Sequence, residues 1–528
     1  EKESAAVQIG HPITERRFTS AIPALRDAGC IRSITDLGAG GISCGAGEMG
    51  AEMGVSLNLD VVPLKDESLT AWEILLSESQ ERMLIAVPPE KLSEAQSLLD
   101  RYEVSHTVIG QFTDSKRLEA SWHGQRVVNL GMDFLWGACP IDPIPSAESR
   151  RTLAALSLRE PRSGEEWSEA VRRVMGHYHC ADQSAAGTRF DSTVQGRTVI
   201  GPYAGKNHRM PTGIFVAAPL PGKNYGLIST LALNPFYGEI NPVLMAKLMV
   251  IEAVTKAVVA GADYREIGLC DNFYTPRVRP GVAWELTRMV ENIAALSCGL
   301  GTPFISGKDS SSGTFEAAGG HIDVPLTLAV AALGRIKDAK RAVTKDFKRA
   351  GNKILLVGQI DSTALGGTVY ADAYGQRGDS LFDGYNADAI RTLWDSVMKL
   401  HEVGAYFSGA ALGEGGVALR VFEAAFGSGL GVRLDLNEFE KAQPAALAHQ
   451  VKARRDGLLF GEFIGSVLLE VGPDFEPAAL LPEVPSTVIG EVLAAPSLIL
   501  SAGGETVWRE EVSSLVQVWS ATFREVLE

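Results

Sequence analysis

Apolar positions three and four apart, at Phe18, Ile22 and Leu25, predict a helix that Thr14 can cap and Gly29 stops. The pattern then changes. Ile31–Asp36 predicts a strand with Asp36 at its end. Gly38, Gly40 and Gly41 follow, and a helical run extends from Ile42 to about Met53. Val55–Val62 predicts a second strand, Ala71–Leu76 a short helix and Met83–Val87 a third strand. Pro88–Tyr102 is a helix with proline in its first turn. Val104–Phe112 closes this first unit, which alternates α and β over about 130 residues.

The middle of the chain has another character. Residues 138–164 are rich in proline and charge and predict a linker with a helical piece running on to about Trp167. In the next unit, 165–336, Gly176–Pro219 is rich in loops and strands. Asn241 and Pro242 then start a long helix that ends near Gly261. Arg265–Phe273 predicts a strand, Val282–Ser297 a helix, and Thr302–Ser306 a buried strand running into Gly307-Lys308-Asp309-Ser310-Ser311-Ser312. The α and β alternation resumes over 345–505, and 506–528 is a C-terminal tail.

The two alternating regions are related. Asp36-Leu-Gly-Ala-Gly-Gly-Ile-Ser43 aligns with Ala411-Leu-Gly-Glu-Gly-Gly-Val-Ala418 at an offset of 375, which also brings Leu25 to Leu400 and Gly29 to Gly404. Met83 meets Val467 at an offset of 384. Asp36 becomes Ala411, Ser79 and Gln80 become Phe463 and Ile464, and Glu78 keeps a counterpart in Glu462. A duplicated domain with one live site would produce this asymmetry; a purely structural role would tolerate it.

Composition narrows the function. The 528 residues are 45% hydrophobic and 21% charged, which marks a globular chain of three or four domains. The net charge of −15 argues against a nucleic-acid backbone or an anionic membrane as main partner. No apolar run reaches the length of a membrane span and no signal peptide opens the chain. The six scattered cysteines, without a CxxC, are expected as reduced thiols of a cytoplasmic protein. A first residue of Glu1 rather than Met is expected of a chain that begins inside a larger protein or has been processed.

Several groups suggest chemistry. An Asp beside a glycine turn at a strand end can hold Mg²⁺, and the N–H groups of the turn can face a phosphate. Glu78 and Gln80 can hydrogen-bond a polar substrate. The plainer alternative has Asp36 cap the following helix and Glu78 make a surface ion pair. The stretch Gly301…Gly307-Lys308-Asp309 is not a P-loop, because five residues intervene and Asp follows Lys. It is either a nucleotide-binding loop of another kind or a turn. His177-Tyr178-His179-Cys180 has the look of a metal cluster but no fourth ligand at the usual spacing. GxSxG is absent and the nine histidines form no visible triad.

VQIGHPITE (7–15), TDLGAGGIS (35–43) and WEILLSESQERM (72–83) together resemble phosphoribosylformylglycinamidine synthase, the amidotransferase family of purine synthesis. PFISGKDSSS (303–312) and the ending VQVWSATF (516–523) resemble the second lobe of its large members, whereas 140–260 departs considerably. The resemblance implies an α+β and α/β fold of aminoimidazole-ribotide-synthetase-like (PurM-like) repeats. Each repeat has an N-terminal half that joins a barrel and an α/β C-terminal half. Residues 1–137 would be the first C-half, 165–336 the second N-half and 345–505 the second C-half. The first N-half, with the catalytic histidine, and the glutaminase domain would be missing.

The implied reaction uses ATP and Mg²⁺. The formamide oxygen of formylglycinamide ribonucleotide is phosphorylated, and glutamine-derived ammonia displaces phosphate to give the amidine. By motif position Asp36 would be a Mg²⁺ ligand, and Gln8, Glu78, Ser79 and Gln80 would bind substrate. Gly307, Lys308, Ser310 and Ser311 would form a nucleotide loop with Asp309 as a metal position. Glu252 fits a further metal position of an auxiliary nucleotide site, but Lys256 stands where that site has Asn. GLCDNFYTP (268–276) keeps Asn272 and otherwise diverges. The expected partners are a chain with the missing N-half and a glutaminase subunit or domain. The alternatives are a scaffold subunit of the same complex and another ATP-using superfamily member, such as a selenophosphate synthetase or thiamine-phosphate kinase.

Overall fold

In the first unit, Glu1–Pro143, helix α1 (Pro12–Asp27) begins ahead of Thr14, because Pro12 presets the first-turn backbone. Thr14 therefore lies inside the first turn, where its Oγ1 is 2.6 Å from His11 Nδ1. The computed structural model describes residues 10–64, 66–137, 143–149, 151–189, 193, 195–317, 319–444 and 453–527. Strand β1 (Ser33–Asp36) follows a left-handed Gly29 at φ 68° and leads into α2 (Gly41–Met49). Then come β2 (Val55–Asn58), α3 (Ala71–Leu76), β3 (Met83–Ala86) and α4 (Leu92–Arg101). A reciprocal Thr70–Glu73 capping box starts α3.

The unit continues past Phe112. Strand β4 (Gly110–Phe112) is followed by a hairpin of β5 (Arg117–Trp122) and β6 (Gln125–Gly131), then α5 (Met132–Gly137). The hairpin turns on His123 and Gly124, both at positive φ. Two sheets result, β1-β3 and β4-β2-β5-β6. They have separate cores. Leu25, Cys30 and Ala95 form one, whereas Ile42, Ala46, Val55, Leu57, Ile74 and Leu118 belong to the other.

The second unit, Ile144–Glu528, opens with α6 (Gly164–Met175), capped by Ser163, and α7 (Ser184–Gly187). Strands β7 (Thr198–Ile200), β8 (Tyr203–Ala204), β9 (Met210–Pro211), β10 (Ile214–Ala217) and β11 (Gly226–Ala232) follow, with α8 (Pro235–Ile240) and the long α9 (Pro242–Val259). Asn241 Oδ1 accepts from Leu244 N at 3.0 Å and starts α9, which is buried almost throughout. Next are β12 (Gly268–Tyr274), α10 (Pro280–Leu300), β13 (Phe304–Ser310), β14 (Thr314–Ala317), β15 (Gly320–Asp323) and β16 (Thr327–Ile336). Six of these strands form one open sheet, β13-β12-β16-β11-β10-β7.

Two expectations change here. The strand predicted as buried at Thr302–Ser306 is the exposed edge strand β13, with Ile305 62% accessible. It also runs on through Gly307, Lys308 and Asp309, paired in parallel with β12, and among the described residues no strand pairs with its other edge. The sheet is not closed into a barrel; a barrel of the implied kind would take a second such sheet.

The remaining α/β region contains β17 (Lys353–Val357), α11 (Val369–Ala373), α12 (Ala387–Val403), β18 (Tyr406–Ala411), α13 (Gly416–Ser428), β19 (Gly431–Asp435) and α14 (Leu436–Glu440). Helix α15 (Arg455–Phe460), β20 (Val467–Val471), α16 (Pro477–Leu480), β21 (Ser486–Leu493), β22 (Ser497–Ala502), β23 (Glu505–Glu511) and α17 (Val512–Leu527) complete it. Its seven strands form one sheet, β18-β20-β17-β21-β19-β22-β23. The stretch predicted as a tail is integral to this layer. Strand β23 pairs with β22, Trp508 Nε1 donates to Ser168 Oγ at 2.8 Å, and Trp519 Nε1 donates to the Cys180 carbonyl at 2.7 Å.

The duplication extends to backbone register. Asp36 lies opposite Met83 in the antiparallel β1-β3 pair, and Ala411 lies opposite Val467 in β18-β20. Strand β2 is antiparallel to β4 and parallel to β5, as β19 is to β21 and β22. Both hairpins shift register at matching places, Ala120/Ser121 and Leu500/Ser501. Ser121 Oγ donates to the Leu57 carbonyl at 3.4 Å, and Ser501 Oγ to the Leu434 carbonyl at 3.1 Å.

Candidate functional site: a glycine turn faced by an acid-amide loop

The β1-β3 register brings the two sequence motifs of unit 1 together. Beyond Asp36 and Met83, Leu37 N donates to the Arg82 carbonyl at 3.2 Å. The loop Ser77–Arg82 therefore lies beside the turn Gly38–Gly41. Gly40 and Gly41 have φ of 74° and 54°. A Cβ on Gly41 would stand 2.2 Å from the Ser77 carbonyl oxygen, so the sequence needs glycine there to let two backbones approach.

Two carboxylates flank this turn. Glu78 Oε1 accepts from Gly40 N at 3.3 Å, at the start of α2. Asp36 Oδ2 lies 3.1 Å from where a Gly38 Cβ would be. Asp36 does not cap α2; its N-cap is Gly40, without a side-chain cap bond. Ser77 Oγ and Ser79 Oγ are 2.9 Å apart, and Gln80 Nε2 donates to the Glu78 carbonyl at 3.2 Å. Glu78 and Gln80 are exposed, while Ser79 is half-buried. Burial pushes the Cys44 thiol up, and its bond to Glu48 and the charge of Asp36 push the same way.

Arg82, which sequence reasoning did not single out, holds the loop from within. Its Nε donates to the Ser79 carbonyl at 2.9 Å and its Nη2 to the Ser77 carbonyl. Its position between the acid-amide residues and β3 was the available signal. Glu81 sits at φ 60°, a backbone conformation costly for a residue with a Cβ. Gln8 lies outside the described residues.

The equivalent place in unit 2 keeps the backbone and loses the polar face. Gly415 and Gly416 have φ of 73° and 62°. Glu462 Oε1 accepts from Gly415 N at 3.1 Å, as Glu78 does from Gly40, and also from Val369 N at 2.8 Å. Glu462 is buried, and burial with the neighbouring Glu414 charge pushes its carboxyl up to about 8. Phe463 and Ile464 are fully buried.

The His177–Cys180 segment packs nearby in the same unit. His177 Nε2 is 2.7 Å from Asp372 Oδ2, and His179 Nδ1 is 2.6 Å from Glu414 Oε1. Burial holds His177 below the usual histidine value. For His179 the bond and charge of Glu414 outweigh burial and raise it. Both rings are thus engaged by carboxylates. Among the described residues no group of three or more His, Cys, Asp or Glu side chains is gathered to hold a metal ion.

Gly307, Lys308, Asp309 and Ser310 lie on β13, and Ser311 follows its end. Lys308 Nζ donates to Ser310 Oγ at 3.1 Å, and Ser310 Oγ donates to Asn272 Oδ1 at 3.1 Å. A Cβ on Gly307 would stand 2.4 Å from Asp271 Oδ1, so a larger residue there would push the Asp271 carboxylate aside. Burial raises the Asp271 carboxyl. Glu252 is buried and ion-paired with Lys256 at 2.7 Å. Lys345 lies in the same buried charge network, 2.6 Å from Glu423, and burial pulls it down to about 8.

Fold and repeat define a chain with two copies of one α/β half, the first carrying an exposed acid-amide site. Residues 1–123 match the family model described as AIR synthase related protein, C-terminal domain. The chain is similar to the phosphoribosylformylglycinamidine synthase subunit PurL of Thermoplasma acidophilum, 27% identical over 474 residues, covering 89% of this chain and 59% of that protein. It is 29% identical over 449 residues to the PurL subunit of Cutibacterium acnes, covering 83% of this chain and 58% of that protein. Among solved structures it resembles T. maritima PurL complexed with ATP, with a TM-score of 0.61, 20% identity, and coverage of 93% of this chain and 69% of that one. The fold is thus that of PurL, built from PurM-like repeats. The chain spans less than two thirds of the length of these curated relatives.

Proposed function

We propose that the chain is the synthetase part of phosphoribosylformylglycinamidine synthase. It would convert formylglycinamide ribonucleotide, ATP and glutamine-derived ammonia to the amidine, in the cytoplasm, with a partner chain. The observation that carries the reading is the β1-β3 register, which sets Glu78, Ser79 and Gln80 against the glycine turn after Asp36. The solved relatives include T. maritima PurL complexed with ATP and with FGAR.

In this reading Glu78, Ser79 and Gln80, with Gln8, hydrogen-bond the ribonucleotide and orient its formamide. Arg82 positions that loop through the Ser77 and Ser79 carbonyls. Mg²⁺ suits the site, because it is commonly held by one or two carboxylates together with substrate phosphates, and Asp36 and Glu78 flank one turn. When bound it would neutralise phosphoryl oxygens during transfer. Lys308, Asp309 and Ser310 at the end of the edge strand β13, with Ser311 just after it, offer a nucleotide-binding surface. Glu252 is already neutralised by Lys256, so Asp36 is the stronger metal ligand.

A partner chain is supported by the outer face of the six-stranded sheet. Leu227, Leu231 and Leu333 on its central strands are 39–53% accessible, as a face awaiting a second sheet would be. The test is to combine the chain with a polypeptide carrying the first N-half, formylglycinamide ribonucleotide, ATP, Mg²⁺ and ammonia. Amidine and phosphate should form together. An Asp36→Ala complex that turns over like wild type overturns the catalytic reading and leaves a scaffold subunit.

A further inference from the structure

Helix α9 delivers a carboxylate to the glycine turn of unit 2. At the repeat offset Gly413 is the counterpart of Gly38, and Ala411 that of Asp36. In unit 1 the Asp36 carboxylate lies beside that glycine, with Oδ2 3.1 Å from where a Gly38 Cβ would be. In unit 2 the carboxylate lost at Ala411 is replaced in space, because Glu252 Oε1 lies 2.9 Å from where a Gly413 Cβ would be. The acid comes from a different element and keeps a place beside the turn.

The cation beside that acid is part of the chain. Lys256 lies one helical turn after Glu252 on α9, and its Nζ is 2.7 Å from Glu252 Oε1. The same Nζ donates to the Leu231 carbonyl at 2.9 Å. A carboxylate oxygen and a carbonyl oxygen around one positive centre are the donors that a hard cation such as Mg²⁺ uses. The pair is largely withdrawn from water, with the side chains of Glu252 and Lys256 7% and 19% accessible. Other polar groups of the turn are also taken by protein. Arg420 stands where unit 1 has Gly45; its Nε donates to the Ala411 carbonyl at 3.2 Å and its Nη2 to the Glu414 carbonyl at 3.3 Å. Its Nη1 reaches Glu423 Oε2 at 2.7 Å, and Lys345 Nζ meets the same oxygen at 2.6 Å.

Glu252 is the metal position that the family resemblance implies for an auxiliary nucleotide site, and the residues present do not suit a metal there. A divalent ion at Glu252 would have to displace the Lys256 ammonium from its two oxygens, or stand against it at the cost of like-charge repulsion in a poorly hydrated place. We propose that the Lys256 ammonium is the built-in cation of the unit 2 turn. It takes the place of a divalent ion beside Glu252, so unit 2 keeps a carboxylate and a positive charge at its glycine turn without a metal. That turn is a fixed structural copy, and Mg²⁺ leaves it unchanged. The inference rests on the repeat and on α9, and it holds or fails independently of the proposed reaction.

The test follows hydrogen exchange at the bonded amides of the turn, Leu412, Gly415 and Gly416, in the full chain. Every chain carries Asp36→Ala, so that a metal bound in unit 1 does not enter the comparison. In this parent, exchange should be the same in EDTA and in millimolar Mg²⁺ or Mn²⁺. Lys256→Met leaves Glu252 buried without a cation, so in EDTA the three amides should exchange at least about tenfold faster. Mn²⁺ at ten times its Kd should then slow them again about tenfold, with the ion standing in for the ammonium. Glu252→Gln/Lys256→Met removes both charges; its amides should exchange within about threefold of the parent and ignore Mn²⁺. Three results overturn the built-in cation: parent amides slowed by Mg²⁺, Lys256→Met amides as slow as the parent in EDTA, or Lys256→Met amides indifferent to millimolar Mn²⁺. If Lys256→Met does not fold in EDTA, the double variant decides. Folding with parent-like exchange supports the pair, whereas failure to fold gives Lys256 a packing role and overturns it.

Discussion

The two glycine turns share a backbone and differ in what surrounds it. In each, a Glu carboxylate accepts from the N–H of a left-handed glycine, and the next glycine lies against the backbone of the facing loop. Around Gly40 stand Asp36 and Gln80, exposed, and Ser79, half-buried; around Gly415 stand Ala411, Phe463 and Ile464, all buried. The common glycine turn is therefore architectural, and the exposed residues around it in unit 1, Glu78 included where Glu462 is buried, are where substrate chemistry can reside. The loop adds a further contrast. Glu81 holds a positive φ that its counterpart Gly465, at 101°, adopts without penalty. Unit 1 retains a costly residue at the position where unit 2 has the inexpensive one.

The largest effect should come from the acid that has no counterpart in unit 2. Asp36→Ala is expected to lower amidine formation by the assembled complex about 10²–10³-fold, the range for losing one charge-stabilising group, with melting unchanged. Steady-state kinetics beside calorimetry checks both parts. Next is the shared turn. Gly41→Ala forces a Cβ against the Ser77 carbonyl and adds a positive-φ penalty, so it should destabilise unit 1 by about 1–3 kcal/mol and displace the loop. Gly416→Ala, whose Cβ would stand 2.8 Å from the Gly461 carbonyl oxygen, should do the same to unit 2. Hydrogen exchange would assign each loss to its own unit.

The buried acid of unit 2 gives a pH signature. Glu462 has a folded value near 8, above its ordinary 4.5, so the folded state holds its proton more tightly than the unfolded chain. Its stabilising contribution is complete below about pH 4.5 and is lost as pH rises toward 8. Glu462→Gln should flatten the stability of unit 2 across that window, measured by denaturant titration at several pH values. A wild-type curve as flat as that of the variant would refute the assignment. The smallest effect is at Glu81. Glu81→Gly should stabilise unit 1 by up to about 1 kcal/mol at the strained backbone while weakening formylglycinamide ribonucleotide binding, measured by calorimetry.

The glycine turn was readable because close backbone approach permits few residues, so Gly41 and Gly416 mark it directly. The α9 start was readable because Asn241-Pro242 encodes a cap and a first turn locally. Exposure was not readable. The apolar run at Thr302–Ser306 looks interior, but among the described residues no strand pairs beyond it, so it is an edge. The His179–Glu414 and His177–Asp372 contacts join residues some 200 positions apart, and no local spacing announces them. Arg82 was hidden for a related reason, since its partners are carbonyls, which every residue has.

The burial of Trp508 and Trp519 in the C-terminal layer has an optical consequence. Trp167, Trp394 and Trp519 of unit 2 are at most 1% accessible, while Trp72 and Trp136 of unit 1 are 64% and 51% accessible. The intrinsic fluorescence of the chain should accordingly contain a blue, quencher-resistant part from the buried tryptophans of unit 2 and a red part, suppressed by iodide, to which Trp72 and Trp136 of unit 1 contribute most. One spectrum, recorded with and without quencher, then reports on the two units separately.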